Sequence, residues 1–171
     1  MKRVAVVGSS GAGKTTLSLE LSRLLDLPII HLDAEYWQPG WTQPPSEVWL
    51  ERQKQLLAAE RWIIDGNYGG TMDTRFAAAD TIIFLDFPRL LCTWRVLKRV
   101  LEYRPGARPD MADGCDERFD LSFINYVWTF PEKHRPRIFE RLKDYPDKTL
   151  YHLRTATELG GFLEEIKAIS S

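Results

Sequence analysis

Eight residues near the start of the chain carry the first legible chemistry. Gly8-Ser9-Ser10-Gly11-Ala12-Gly13-Lys14-Thr15 sets glycines, a lysine and a hydroxyl at the spacing G-x-x-x-x-G-K-[ST]. Such a loop wraps a triphosphate closely, because side chains are absent where the backbone meets the oxygens and the amides turn inward. Lys14 would reach the β- and γ-phosphates of ATP, and the Thr15 hydroxyl would hold Mg²⁺. The helix that follows would add its partial positive end. A glycine-rich turn could also serve only to join a strand to a helix. The flanks argue against that: an apolar run precedes the loop, and Leu17, Leu21, Leu24 and Leu25 follow it at helical spacing. The candidate nucleotide-binding residues are Gly8, Ser9, Ser10, Gly11, Ala12, Gly13, Lys14, Thr15 and Thr16.

A Mg²⁺-using loop of this kind usually has an acidic partner at the end of a neighbouring strand. Asp65, after Trp62-Ile63-Ile64, and Asp86, after Ile82-Ile83-Phe84-Leu85, both qualify. Asp65 is favoured as the metal residue beside Thr15, because Asp65-Gly66-Asn67-Tyr68 frees the backbone where a ligand would sit. Phe87-Pro88 after Asp86 reads instead as the start of a turn. Cys115, His134 and His152 lack any metal-ligand spacing.

The elements that must position these residues follow from periodicity. The chain alternates short β-branched runs with stretches of helical period, the mark of a parallel sheet with crossover helices. Strands are expected over 3–7, 27–32, 61–65, 81–86 and 149–153. Helices are expected over 14–25, 46–59, 90–101, 121–128 and 137–143, with a last one capped by Thr155-x-x-Glu158. In the 90–101 helix, Leu90, Trp94, Leu97 and Leu101 fall in line. The stretch 104–120 is rich in Gly, Pro and Asp and reads as the least ordered.

At 171 residues the chain is about one domain long and can bury a core without disulfides. Apolar residues at 44% and charged residues at 27% argue against disorder. No apolar run approaches the roughly 18 residues of a membrane span, and the five apolar residues before Gly8 are too few for a secretory signal. Two cysteines read as reduced thiols of a cytoplasmic protein. Charge is uneven: residues 89–143 hold twelve basic and eight acidic side chains, net +4, against −5 for the remainder. A local cationic segment suits a polyanionic ligand but falls short of the basic face expected for duplex DNA. Without an Asn-Lys-x-Asp sequence to read guanine, a switch GTPase is disfavoured. The small single-domain kinases remain.

The chain resembles adenylate-kinase-related P-loop kinases, and in particular the bacterial DNA topology modulation, or FlaR, proteins. The resemblance rests on Gly8–Thr16, on His31-Leu32-Asp33 with Tyr36-Trp37 and Gly40-Trp41, and on 62–68. It continues through 84–89 with 94–99, and Arg108-Pro109-Asp110-Met111 with Gly114-Cys115. It implies an α/β fold with a five-stranded parallel sheet, flanking helices and a small helical lid. The expected organisation is one domain over 1–171, with an acceptor-binding segment at 33–60 and a lid at 103–131. Arg95-x-x-x-Arg99 matches the pair that adenylate kinases carry before the lid, so the resemblance puts Arg95 against the base and Arg99 on phosphate. Arg135, Arg137 and Arg141 follow the expected lid, and one or two of them would neutralise the transferring phosphoryl group.

One departure bears on the acceptor. Adenylate kinases have Asp-Gly-Phe-Pro-Arg after the third strand, whereas here Asp65-Gly66-Asn67-Tyr68 follows and the next arginine is Arg75. Asp33 closes the second strand instead, as in nucleoside and small-metabolite kinases, where a carboxylate takes or orients the proton of a hydroxyl acceptor. Tyr36, Trp37 and Trp41 would form an aromatic wall or a packed loop. The expected catalytic set is Lys14, Asp33, Arg99, Arg135 and Arg137. It serves ATP, Mg²⁺ and a small acceptor, either a nucleoside, a nucleotide or another hydroxyl metabolite. The alternative is a nucleotide-dependent regulator of DNA topology or transcription with slow ATP hydrolysis.

Overall fold

In the computed structural model, which describes residues 1–102, 114–115 and 119–170, five strands form one parallel sheet. β1 (Arg3–Gly8) runs into α1 (Lys14–Leu25), then β2 (Ile29–His31), α2 (Leu32–Tyr36) and α3 (Ser46–Leu57). β3 (Trp62–Asp65) leads through a 3₁₀ turn at Gly69–Thr71 into α4 (Met72–Ala78), then β4 (Thr81–Leu85) and α5 (Arg89–Leu101). α6 (Leu121–Trp128), α7 (Phe130–Lys133), α8 (Arg135–Leu142), β5 (Thr149–Leu153) and α9 (Ala156–Ser170) complete the chain. The strand order is β2-β3-β1-β4-β5. The order reverses beside β1, so a crevice opens at the carboxyl end of that strand, where sheets of this type bind ligands.

Both faces of the sheet are covered, which is why its strands read as unbroken apolar runs. Val4 and Val6 point to one side with Leu17 and Leu21 of α1, Cys92 and Val96 of α5, and Phe162 and Ile166 of α9. Ala5 and Val7 point to the other with Trp49 of α3, Phe76 of α4, Phe130 of α7 and Ile138 of α8. The register sets Val6 beside Asp65 and Asp65 beside His31, so the carboxylate ends level with the start of the loop after β1.

Several expectations need correction. The second strand is shorter than 27–32, because Leu32 is fully buried as the first residue of α2. Asp33 therefore belongs to a helical first turn and not to a strand end. The single helix expected over 137–143 is the last part of a pair, α7 and α8. Pro131 and Pro136 each sit in the first turn of their own helix, where a missing N–H costs nothing. α9 runs through Gly160-Gly161, started by the Thr155 hydroxyl accepting from the Glu158 N–H at 3.1 Å. The lid expected over 103–131 lies outside the described residues at 103–113 and 116–118. Beyond them α6 buries Val127 completely. Among the described residues no helix is long and apolar enough to cross a membrane.

The largest correction concerns α5. Its expected apolar line faces outward: Leu90, Trp94 and Leu101 are 69%, 57% and 85% exposed. Cys92 and Val96, one turn apart, take the core position instead. The cause is the phosphate loop, whose Gly11 lies against the Cys92 carbonyl and fixes the rotation of the helix. Trp94→Gln should accordingly change the unfolding free energy by less than about 0.5 kcal/mol. Val96→Ala should cost about 1–3 kcal/mol. Denaturant midpoints of the two variants read the difference.

Candidate functional site

The loop between β1 and α1 is shaped by contacts that leave no room for side chains. A Cβ on Gly8 would lie 2.4 Å from the Leu85 carbonyl oxygen, and one on Gly11 would lie 2.3 Å from that of Cys92. Gly11 and Gly13 also hold φ at +80° and +97°, the left-handed region that only glycine enters freely. The Lys14 ammonium arches over the loop and donates to the carbonyls of Gly8 and Ser9 at 3.0 and 3.1 Å. Burial lowers its pKa, Asp33 and Asp65 raise it, and Arg99 lowers it again.

Neighbouring elements hold this loop in place. Arg95 of α5 donates through Nη1 to the Gly11 carbonyl at 3.2 Å and lies over the Phe87 ring at 5.6 Å. From the other side, Asn67 accepts the Gly8 N–H on Oδ1 at 3.0 Å, and its Nδ2 donates to Tyr126 Oη of α6 at 3.1 Å. Asn67 thus ties the start of the loop to the β3–α4 connection and to α6. That connection is braced from beneath by Arg75, which is 1% exposed. Its guanidinium donates to the Thr71 hydroxyl at 3.0 Å, to Gln53 Oε1 at 3.3 Å, to the Gly66 carbonyl at 3.4 Å and to the Asn67 carbonyl. Burial pulls its pKa down to about 9, so it enters the core as a cation held by neutral oxygens.

Around this frame opens a cleft of about 880 Å³. Ser10, Gly11, Gly13, Lys14, Thr15, Thr16, Asp33, Asp65, Arg95 and Arg99 all line it, so most of the expected site residues meet in one place. Gly8, Ser9 and Ala12 are buried behind the loop. Asp65 is 5% exposed, and both its carboxylate oxygens lie 3.0 Å from His31 Nδ1. Asp86 does not reach the cleft; it faces a side crevice, with His152 Nε2 at 3.0 Å and Arg135 at 3.6 Å.

Arg135 and Arg137, expected beside the transferring group, do not line the cleft. α8 is oriented by Ile138, which packs into the second core, so Arg135 turns to Asp86 and Arg137 to the exposed side. Arg141 pairs with Asp73 at 3.3 Å.

Sequence reasoning missed several lining residues. Tyr68 donates to Asp33 Oδ1 at 2.6 Å, and burial together with Asp33 pushes its pKa up, so it stays a protonated donor. Asn67, Asp120, Phe123 and Tyr126 also face the cleft. The one sequence signal for Asn67 and Tyr68 was the run Asp65-Gly66-Asn67-Tyr68, read only as a loosened backbone.

The residues present fit a nucleoside triphosphate with Mg²⁺. At Gly8 and Gly11 a Cβ would strike neighbouring backbone, so the loop stays bare where phosphate oxygens would approach, and Thr15 and Asp65 offer hard oxygen ligands. Among the described residues no group of three His, Cys, Asp or Glu side chains could hold a metal alone.

No protein-family model matches the chain, and no curated protein does. Solved structures do. Shikimate kinase from Acinetobacter baumannii in complex with shikimate is 17% identical, with a TM-score of 0.64 over 99% of this chain and 92% of that one. A gluconokinase from Sinorhizobium meliloti 1021 is 16% identical, with a TM-score of 0.55 over 99% and 91%. Shikimate kinase from Bacteroides thetaiotaomicron is 15% identical, with a TM-score of 0.53 over 98% and 97%. The chain shares the fold of these kinases, a five-stranded parallel sheet with flanking helices. At these identities the likeness speaks for architecture, and the chemistry must be argued from the site.

Arg75 gives that frame a direct test. Arg75→Met keeps the bulk but leaves the carbonyls of Gly66 and Asn67 without a donor in the core. The variant should lose about 2–4 kcal/mol of stability, measured by urea unfolding.

Proposed function

We propose that this chain is an ATP-dependent phosphotransferase that moves the γ-phosphoryl group to a hydroxyl of a small acceptor. One observation supports the reading above all: the Asp33 carboxylate lines the same cleft as Lys14 and Asp65, oriented by the Tyr68 hydroxyl at 2.6 Å. A phosphate acceptor would meet that carboxylate as repulsion, whereas a hydroxyl finds in it an acceptor for its proton. Tyr68 occupies Oδ1, which leaves Oδ2 for the substrate.

Each residue then has a task. The loop amides and Lys14 hold the β- and γ-phosphates, Arg95 lies against the base, and Arg99 with Lys14 balances charge on the transferring group. Thr15 and Asp65 would hold Mg²⁺, which supplies charge neutralisation across the phosphates. The acceptor oxygen bonds to the γ-phosphorus while the bond from that phosphorus to the β–γ bridging oxygen breaks. ADP leaves, and the acceptor proton passes to Asp33 and on to water. The likeness to adenylate-kinase-related enzymes and to topology modulation proteins is, in this reading, one of shared sequence motifs and ancestry rather than of acceptor.

ADP release measured with ATP alone, then with nucleosides, nucleotides, sugars and duplex DNA, tests the proposal. A rise that depends on a hydroxyl acceptor is expected, and a rise with DNA only would overturn it. Asp33→Asn keeps shape and the Tyr68 contact but removes the base. Its kcat should fall by roughly 10²–10⁴ with ATP affinity unchanged. Lys14→Ala should abolish turnover in a folded protein.

A further inference from the structure

Beyond the phosphate loop's own residues, the cleft has an aromatic lining. Trp37, Trp41, Tyr68, Phe123 and Tyr126 supply aromatic faces, and the charged groups among them are the carboxylates of Asp33 and Asp120. The described cations that line the cleft are Lys14, Arg95 and Arg99, and Asp33 is the charge that Lys14 feels most. Arg95 is bonded to the Gly11 carbonyl, and Lys14 and Arg99 lie close enough to perturb each other. Among the described residues, three further arginines are engaged elsewhere. Arg52 grips Glu35 at 2.8 Å, Arg141 pairs with Asp73, and Arg75 is sealed beneath the β3–α4 connection. None of these three lines the cleft.

The way Trp41 is presented adds a second observation. It holds φ at +62°, a left-handed conformation that a bulky side chain rarely adopts, next to Gly40 at +75°. The hairpin that carries it is closed by reciprocal backbone bonds between Gln38 and Thr42, at 3.0 and 3.2 Å. It is also fastened elsewhere: the Gly40 N–H donates to the Gly114 carbonyl at 3.1 Å, and Cys115 Sγ lies 3.2 Å from the Gln38 carbonyl. Local strain of this sort persists only where the surroundings over-determine it, and it gathers at ligand clamps. Here it turns an indole toward the cleft, edge-on to Trp37 with ring centroids 5.3 Å apart.

Resting on the phosphotransferase reading, we infer that the acceptor is a planar ring compound with a hydroxyl, uncharged or cationic, and that it carries no phosphate or carboxylate. Flat rings stack on indole and phenol faces, and a cation gains further from those faces and from Asp33 and Asp120. An anionic group would meet two carboxylates, and Lys14, the described cation that Asp33 supports, is committed to the phosphates once ATP is bound. The acceptor hydroxyl beside Asp33 is then phosphorylated as above, with ADP as the other product.

The test compares ring compounds with their anionic counterparts: nucleosides with their 5′-monophosphates, and hydroxylated pyridines with the same rings bearing a carboxylate. Shikimate serves as a non-planar acid. Binding is measured by calorimetry on the protein loaded with Mg²⁺ and a non-hydrolysable ATP analogue, and turnover by ADP release. A ring compound should bind at least tenfold tighter than its anionic partner. Trp41→Gly removes the ring at a position whose φ suits glycine, so the fold should hold while the acceptor KM rises at least tenfold and kcat moves less than threefold. Asp120→Asn keeps the α6 cap, which Asn makes as well as Asp, and should narrow the gap between a nucleoside and its monophosphate severalfold. Equal or tighter binding of the anionic partner, or an unchanged acceptor KM in folded Trp41→Gly, overturns the inference. So does a panel in which no ring compound binds; turnover of shikimate in that case would leave the phosphotransferase reading standing, and no acceptor-dependent turnover at all would sink both.

Discussion

The contact between Gly11 and the Cys92 carbonyl governs more of this molecule than any other. The phosphate loop must bring bare backbone against α5, and the 2.3 Å to which a Cβ would approach leaves one way for the two to meet. Once Cys92 faces the loop, Val96 follows it into the core one turn later. Arg95 and Arg99 lie three and seven residues on from Cys92, so they share the side of the helix that looks into the cleft. The same rotation leaves Trp94 and Leu101 outside. A steric demand of the loop thus decides which arginines can meet a phosphate and which apolar side chains stay in water.

On the far side of the loop the organising force is electrostatic. Arg75 is a buried cation whose partners are carbonyl, amide and hydroxyl oxygens. Desolvating a guanidinium is expensive, and neutral acceptors offset this only when several converge in good geometry. The convergence fixes the turn after β3, and through it Asn67 and Tyr68. Asn67 hands that rigidity to the Gly8 amide, while Tyr68 hands it to Asp33. One buried charge therefore helps to register the phosphate loop against the Asp33 carboxylate.

Much of this was legible before any coordinates. The sheet, its parallel sense and helix 14–25 followed from apolar runs and helical spacing, since both kinds of pattern are imposed by burial alone. That the loop, Asp65, Arg95 and Arg99 meet at one cleft was expected from motif spacing for the loop, from a strand end for Asp65, and from the resemblance to adenylate kinases for the two arginines. What failed was what depends on distant contacts. The face that α5 buries is set by Gly11, eighty residues away in sequence, and a 3.6-residue period fits either of its stripes. Arg135 and Arg137 were assigned by position after the expected lid, but Ile138 decides where α8 points. Asp33 was read as a strand end because Leu32 extends the apolar run, though its burial serves α2.

The cleft that results is polar along its length in the electrical sense. Lys14, Arg95 and Arg99 gather at the loop, while Asp33 and Asp120 stand among aromatic rings farther in. Lys14 feels both ends: burial works against its charge, Asp33 and Asp65 support it, and Arg99 opposes it. An incoming triphosphate shifts that balance toward the protonated ammonium, because it brings negative charge to the side where cations crowd one another. The nucleotide would thus strengthen the very charge that must follow the γ-phosphoryl group. In the proposed reading an anion beside Asp33 gains nothing comparable, since Lys14, the cation that Asp33 supports, is then committed to the phosphates. Phosphoryl transfer through a loose transition state asks for positioning and charge balance more than for a strong base. In the proposed reading, a cleft whose described cations gather at the phosphate loop would meet that demand for ATP and leave the acceptor to shape, stacking and the carboxylate of Asp33.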